Sequence, residues 1–418
     1  MILEIRLSNF FSIKDEIVLD LRAGNSQSKK AKELEHNVFP YKDETILKTV
    51  ALYGSNASGK SNIINAIRFC CYMILQSHLH NENSVFTYKP FKFAGYGNKP
   101  SVFSIKFVYN DVEYDYSFSL TQNKILAESL YYYPNDRKAK VFTRNENIKG
   151  LKKDKYSFGT AIKRPMDVAE NTSEKTLYLS RASQMDRDLA KELFVFFNNT
   201  FILGFLNLPN QVLEASFKEN KNLVLKALQI ADSDIVDLKI RHTEVMVKNL
   251  NVSFPEAKAT VSDGKQTAIQ ISSFHKLSPD ISFDFFTEES NGTRNLFEII
   301  LTILDVIKNN KMLIIDEIES SLHTSIVEFL LKLFYASDSA QLIFSTHNTN
   351  LLNLDKIRKD QVYFVNKKED ASTDLYSLFD YKDFRDTMDV EKAYLQGRFD
   401  AVPFIDDSIT NLKSLING

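Results

Sequence analysis

Gly54-Ser55-Asn56-Ala57-Ser58-Gly59-Lys60-Ser61 matches the pattern G-x-x-x-x-G-K-[ST] at every constrained position. Its flanks supply the setting that gives the pattern meaning. Residues 46–53 are mostly apolar and read as a buried strand, and a helix follows from Gly59 to about Gln76. Gly54 and Gly59 let backbone N–H groups turn toward phosphate oxygens. Ser55, Asn56, Ala57 and Ser58 form the loop between them, and the helix N-terminus adds partial positive charge. Lys60 is placed to reach the β- and γ-phosphates, and Ser61 to ligate Mg²⁺. The bland alternative is a chance glycine-rich turn. The chain has only 12 glycines, however, and both required positions of this strand–loop–helix carry one. The expectation is an α/β protein that binds a nucleoside triphosphate with Mg²⁺.

Three later stretches bear on the same chemistry. Met312-Leu313-Ile314-Ile315-Asp316-Glu317 delivers two carboxylates at the end of a short buried strand, the end at which ligands bind in open α/β sheets. Asp316 is expected to hold Mg²⁺, directly or through water, and Glu317 to orient or deprotonate the attacking water. Acids at a strand end are common on solvated surfaces; the phosphate loop upstream gives these a chemical role. Ser345-Thr346-His347-Asn348 follows the next buried strand, residues 342–344. His347 is therefore expected to sense the γ-phosphate or polarise the lytic water. Glu289-Ser290-Asn291-Gly292-Thr293-Arg294 opens the helix that leads into the carboxylate strand. In isolation it reads as an N-cap, with Ser290 or Thr293 satisfying free N–H groups. As a Ser-x-Gly-Thr turn opening a helix it is also an anion site. The candidate catalytic groups are Lys60, Glu317 and His347, and the expected reaction is triphosphate hydrolysis.

The rest of the chain supplies a frame. Leu3, Ile5 and Leu7, then Ile17, Leu19 and Leu21, alternate with polar residues as in two half-buried strands. Residues 22–45 are polar and read as irregular. Phe103, Ile105, Phe107 and Tyr109 alternate, as do Tyr114, Tyr116, Phe118 and Leu120, with Asn110-Asp111 between them as a hairpin turn. Residues 126–133 add another strand, 174–231 read as helical, and alternation returns over 236–287. The last third alternates buried strands with amphipathic helices, which implies a largely parallel sheet. This gives residues 1–160 as one part of a head with the phosphate loop and a β subdomain, 161–235 as a helical insertion, and 236–418 as the second part of the head.

Bulk properties bound the partners. The chain has 418 residues and a formal charge of −2, so it lacks the whole-molecule basic field of a nucleic-acid binder. Lys149, Lys152, Lys153 and Lys155, with Lys163-Arg164, remain as a local basic patch. Cys70 and Cys71 are adjacent and are the only two cysteines, which excludes a disulfide framework and fits a reducing cytoplasm. No apolar run approaches the ~20 residues that span a bilayer, so no membrane partner is expected. The first seven residues mix charges among apolar positions, unlike a secretory leader. Asp383, Asp386 and Asp389 are spaced for a turn or helix, with no strand series after them to build a nuclease metal site.

The order of motifs, phosphate loop, long insertion, Ser-x-Gly-Thr, Asp-Glu, His, resembles the ABC-type ATPase heads of SMC, RecF and OLD-like proteins. That resemblance implies a mixed, largely parallel core sheet with an antiparallel β subdomain and a helical insertion. It implies ATP as the nucleotide. Ser290 and Gly292 would cap the γ-phosphate of ATP held by a second copy, Ser320-Ser321-Leu322-His323 would form the D-loop at the dimer interface, and His347 would be the switch histidine. The chain would then be at least a homodimer, or a larger ring. Leu7-Ser8-Asn9-Phe10-Phe11-Ser12 is similar to the first motif of those heads, with Phe11 where a basic residue is usual. A closer resemblance is to bacterial ATP-binding proteins of abortive-infection and anti-phage operons, related to the PARIS ATPase and to ATPases paired with RloB-like proteins. It runs nearly end to end. It includes Asp316-Glu317-Ile318-Glu319 and the motif Tyr394-Leu395-Gln396-Gly397-Arg398-Phe399-Asp400-Ala401-Val402-Pro403-Phe404. It implies a nuclease or toxin partner of TOPRIM or RloB-like type, with a phage trigger or DNA as further partners.

Overall fold

A computed structural model describes residues 1–25, 29–204, 210–230, 234–253, 258–320, 322–381 and 388–401. Ser321, Asp383, Asp386 and Val402-Pro403-Phe404 lie outside them. The chain forms two compact units. One comprises Met1–Gly204, Asn309–Glu319 and Leu331–Gly418; the other comprises Phe205–Lys308 and Ser320–Leu330.

The larger unit is built on two sheets. The first has six strands in the order Phe201–Ile202, Met312–Ile315, Gln341–Thr346, Thr49–Tyr53, Val362–Lys367, Thr373–Ser377. The first five run parallel and the last antiparallel. Met312–Ile315, Gln341–Thr346 and Thr49–Tyr53 are buried at every residue, which is why they are near-continuous apolar runs. The parallel register brings Ile315, Phe344 and Ala51 abreast. Asp316-Glu317, His347 and the phosphate loop therefore leave the sheet at the same edge.

The second sheet is antiparallel and seven-stranded: Tyr156–Phe158, Ala139–Asn145, Ile125–Tyr132, Val112–Leu120, Ser101–Tyr109, Ile2–Ser8, Ile17–Asp20. The alternating aromatics put Phe103, Ile105, Phe107, Tyr116 and Phe118 into the core. The hairpin turn falls on Asn110 and Asp111, both at positive φ, a conformation these two residue types tolerate well. The helix Lys60–Gln76 buries Ile63, Ile64, Ile67, Cys70, Cys71, Met73 and Ile74, each apolar side chain contributing about 1.5–3 kcal/mol. Helix Asp188–Thr200 adds Phe196 and Phe197, whose rings lie 4.8 Å and 5.0 Å from Phe107. Both cysteines are free and buried.

Three local expectations change. The single strand over 46–53 is two, Glu44–Leu47 and Thr49–Tyr53. The break is Lys48, buried with its ammonium donating to Tyr335 O at 2.9 Å and Ser337 O at 2.5 Å. Residues 22–45 are not wholly irregular: Val38–Tyr41 pairs with Glu44–Leu47 across a tight turn with Lys42 at positive φ. The helical stretch 174–231 contains Tyr178–Gln184, Asp188–Thr200 and Asn210–Ile230, but also the edge strand Phe201–Ile202.

The smaller unit has a three-stranded antiparallel sheet, Ile235–Ser253, Lys258–His275 and Ser278–Asp284. Helices Asn210–Ile230 and Asn291–Lys308 pack together, with Phe297 placed 5.9 Å from Phe217 and 4.8 Å from Phe285. Among the described residues no helix is long and apolar enough to cross a membrane.

Candidate nucleotide site

The phosphate loop is shaped by close packing against distant parts of the chain. A Cβ on Gly54 would stand 2.2 Å from Val365 O, and one on Gly59 2.0 Å from Thr373 Oγ1. Gly59 also has φ +113°, which an L side chain rarely adopts. Thr373 Oγ1 donates to Ser58 O at 2.9 Å and hydrogen-bonds Ser12 Oγ at 2.7 Å. Asn62 Nδ2 donates to Ser12 Oγ at 2.6 Å. Ser12 and Thr373 thus clamp the loop from behind, a role that sequence reading missed. Ser55, Asn56 and Ala57 form the more open part of the loop, with Ala57 at φ 61°. Ser61 is exposed on the first turn of the helix.

Lys60 is buried, with Nζ donating to Gly54 O at 2.8 Å and Ser55 O at 3.0 Å. Burial pushes its ammonium down to about 8, against the pull of Asp316, Glu317 and Glu319. A triphosphate would stabilise the charged form and raise that pKa, so binding above about pH 8 takes up a proton. Nucleotide affinity is therefore expected to fall as pH rises past about 8, approaching tenfold per unit. Calorimetry in buffers of different ionisation enthalpy checks this; equal heats across buffers at pH 9 would contradict it. The free chain shows the opposite trend from this group. The unfolded lysine holds its proton to about 10.5, so stability rises between pH 8 and that value.

Asp316 and Glu317 are organised by Ser345. The Ser345 hydroxyl, fully buried, donates to Asp316 Oδ1 at 2.5 Å and accepts from Glu317 N at 2.8 Å. Glu317 sits at φ 53°, a conformation that is uncommon for a glutamate and is held here by that bond. The only signal in the sequence was a hydroxyl closing an otherwise apolar strand. Ser345→Ala would remove the acceptor of the Glu317 N–H, a net loss of about 0.5–1.5 kcal/mol. Phosphate release is expected to drop at least about tenfold with nucleotide affinity held within about threefold. A rate within twofold of wild type would remove Ser345 from the machinery.

His347 follows directly on the strand Gln341–Thr346. Its backbone N donates to Glu319 Oε1 at 2.6 Å, while Glu319 Oε2 is buried without a hydrogen-bond partner. Partial desolvation, then the Lys60 charge, lowers the imidazole below its ordinary value against Glu319, Glu317 and Asp316. It is neutral at pH 7 and able to accept or donate one hydrogen bond. Lys60, Asp316, Glu317, Glu319 and His347 thus form one electrostatic neighbourhood.

Ser290 and Gly292 belong to the smaller unit. Ser290 Oγ accepts from Thr293 N at 3.1 Å and bonds Thr293 Oγ1 at 2.8 Å, capping the helix Asn291–Lys308. His323 opens the helix Thr324–Tyr335, its Nδ1 accepting from Ser325 N at 3.3 Å. Part of the basic patch is engaged within the fold, while Lys149, Lys153, Lys163 and Arg164 are exposed. Lys155 pairs with Glu146 at 2.8 Å, Lys152 donates to Thr172 O at 2.5 Å, and Lys163 pairs with Asp188 at 3.6 Å.

Among the described residues no three His, Cys, Asp or Glu side chains form a metal-holding group. Ser61 and Asp316 offer hard oxygen donors of the kind that bind Mg²⁺ together with substrate phosphates.

The SMC head bound to the C-terminal winged-helix domain of ScpA is 14% identical, with TM-score 0.39, covering 94% of this chain and 99% of that one. The SMC head domain from Thermotoga maritima is 13% identical, with TM-score 0.40, covering 90% and 98%. No curated protein matches the chain. Residues 50–353 match the family described as AAA domain, putative AbiEii toxin, type IV TA system. That span runs from the strand before the phosphate loop past His347, so the chain belongs to this family of P-loop ATPases.

Proposed function

We propose that the chain is an ATP hydrolase whose nucleotide state controls assembly of two copies, and through that a partner effector. The observation that carries this reading is the convergence of Lys60, Asp316, Glu317 and His347 at one edge of the parallel sheet, with Ser345 fixing the two carboxylates. In this reading residues 54–61 wrap the phosphates with backbone N–H groups, and Lys60 exchanges its two loop carbonyls for β- and γ-phosphate oxygens. Ser61 and Asp316 would hold Mg²⁺, which supplies charge neutralisation across the phosphates. Glu317 takes the proton from, or orients, the attacking water, and neutral His347 hydrogen-bonds the γ-phosphate or that water. Ser290 and Gly292, at the N-terminus of an 18-residue helix, present anion-binding N–H groups and a hydroxyl to the nucleotide of a second copy.

The family's description as a putative toxin of a type IV toxin–antitoxin system supports placing the chain in growth arrest or anti-phage defence. Its effector would be a nuclease or toxin, of TOPRIM or RloB-like type, held or released as ATP is bound or hydrolysed. A direct DNA clamp needs solvated lysines and arginines in a stripe, whereas Lys152 and Lys155 are engaged with protein groups. The test is light scattering of the purified chain with and without ATP and Mg²⁺, alongside phosphate release. A doubling of mass that needs ATP supports the reading; a mass indifferent to ATP in a chain that binds it removes the dimer switch.

A further inference from the structure

The C-terminal motif beginning at Tyr394 had no chemistry of its own in the sequence. In the fold it touches the nucleotide site from two sides. The helix Val390–Leu395 is capped by Asp389, which accepts from Lys392 N at 3.0 Å. Its Glu391 Oε1 accepts from Thr349 Oγ1 at 2.8 Å. Thr349 lies two residues after His347 and opens the single turn Thr349–Leu351, itself capped by Asn348. On the other side, the Tyr394 ring stands 6.3 Å from Tyr53, the residue immediately before Gly54. Tyr394 also stacks 5.6 Å from Phe364, whose ring stacks at 4.5 Å on Phe399. The turn that follows is bound by tyrosine hydroxyls: Tyr394 to Ala401 O at 3.3 Å, Tyr381 to Arg398 O at 3.0 Å, and Tyr376 to Phe399 O. Gly397 makes the bend at φ 76°, with open space around it.

We propose that the helix Val390–Leu395 and its following turn are the output element of the nucleotide site, with Glu391 and Tyr394 as positioning residues. This rests on the reading that the site binds a nucleoside triphosphate. A γ-phosphate beside Lys60 draws that ammonium off Gly54 O and Ser55 O and places new negative charge within reach of His347. The His347 backbone is at present tied to Glu319, so a shift of the imidazole toward phosphate strains residues 347–349 and loads the Thr349–Glu391 bond. Tyr53 and Tyr394 are in ring contact inside a close-packed cluster, and such packing transmits a displacement because it has no free volume to absorb it. Both routes end on the same short helix, whose far end carries the exposed Leu395, Gln396 and Arg398. Loss of nucleotide is therefore legible at a surface away from the phosphates.

Hydrogen exchange on the full chain, with and without a non-hydrolysable ATP analogue and Mg²⁺, tests the coupling directly. In wild type, analogue binding is expected to change amide exchange over residues 390–395 by at least about threefold. Thr349→Val and Glu391→Leu should each keep the analogue's Kd within about threefold and abolish the change at 390–395. Tyr394→Phe, which keeps the ring, should retain the response, and Tyr394→Leu should lose it. A wild-type chain that binds the analogue with no change over 390–395 overturns the proposal alone. So does a full response in both Thr349→Val and Glu391→Leu. Absence of binding overturns the proposal together with the nucleotide reading, so the two failures are distinguished by the binding measurement itself.

Discussion

Glu317→Gln is expected to leave ATP bound and unhydrolysed, and to accumulate the ATP-loaded assembly. The substitution keeps the side chain's size and its hydrogen bonding but removes the basic carboxylate. The backbone that aims it is untouched, because Ser345 holds the Glu317 N–H and not its side chain. Loss of a general base costs about 10²–10⁴-fold in rate, or roughly 3–5 kcal/mol of transition-state stabilisation. Single-turnover phosphate release should fall by that factor with nucleotide affinity nearly unchanged. If hydrolysis is what separates two copies, a dimer should persist on size exclusion with ATP in the variant and decay in wild type. A variant that hydrolyses ATP within threefold of wild type would remove Glu317 from the chemistry. One that stops hydrolysis yet stays monomeric with ATP would separate the catalytic reading from the assembly reading.

Arg144→Met is expected to cost more stability than any substitution in the nucleotide site. Arg144, Glu128 and Glu146 have fully buried side chains in the antiparallel sheet. Arg144 donates to Glu146 Oε1 at 2.8 Å, Thr176 O at 2.7 Å and Ser173 O at 2.9 Å. Glu128 accepts from Tyr116 Oη at 2.8 Å and from Tyr178 N and Leu179 N at 2.5 and 3.0 Å, capping the helix Tyr178–Gln184. Burial pushes the Glu128 carboxyl up, and Arg144 is the foremost group opposing that push. Removing Arg144 leaves the buried Glu128 carboxyl without its facing cation, Glu146 with Lys155 as its remaining close partner, and the Thr176 and Ser173 carbonyls without their donor, a loss of about 3–5 kcal/mol. Urea unfolding with an unchanged slope should read it; a loss under 1 kcal/mol would show that the pocket rehydrates or that the carboxyls protonate at little cost.

The chemistry of the site was legible because it is local in sequence. Gly54 to Ser61 is a single loop whose residue types answer to phosphate geometry, and Asp316-Glu317 and His347 each follow an apolar run that announces its own strand. What supports those groups was not legible, because it comes from residues hundreds of positions away. Thr373 and Ser12 meet behind the loop, and although Ser12 closes a motif similar to that of ATPase heads, nothing in the sequence linked it to Thr373. Ser345 reads as the start of the stretch that carries His347, with no role of its own, until the parallel register sets it between Asp316 and Glu317. Lys48 interrupts a strand for a similar reason: its partners, Tyr335 O and Ser337 O, lie far along the chain. Within the basic run near residue 150, Lys152 and Lys155 serve the buried acid Glu146.

The clamp behind the phosphate loop has a consequence for synthesis. Val365 and Thr373 close on Gly54, Ser58 and Gly59, and Gln341 reaches back to bond the amide and carbonyl of Ile2. The motif that grips nucleotide leaves the ribosome early, but the groups that give it its shape emerge some three hundred residues later. A nascent or truncated chain carries the phosphate-loop residues without the scaffold that arranges them. If nucleotide state governs an effector as proposed, this order of events is a form of quality control. Only a chain completed through its last sheet strand gains the scaffold that shapes the phosphate loop.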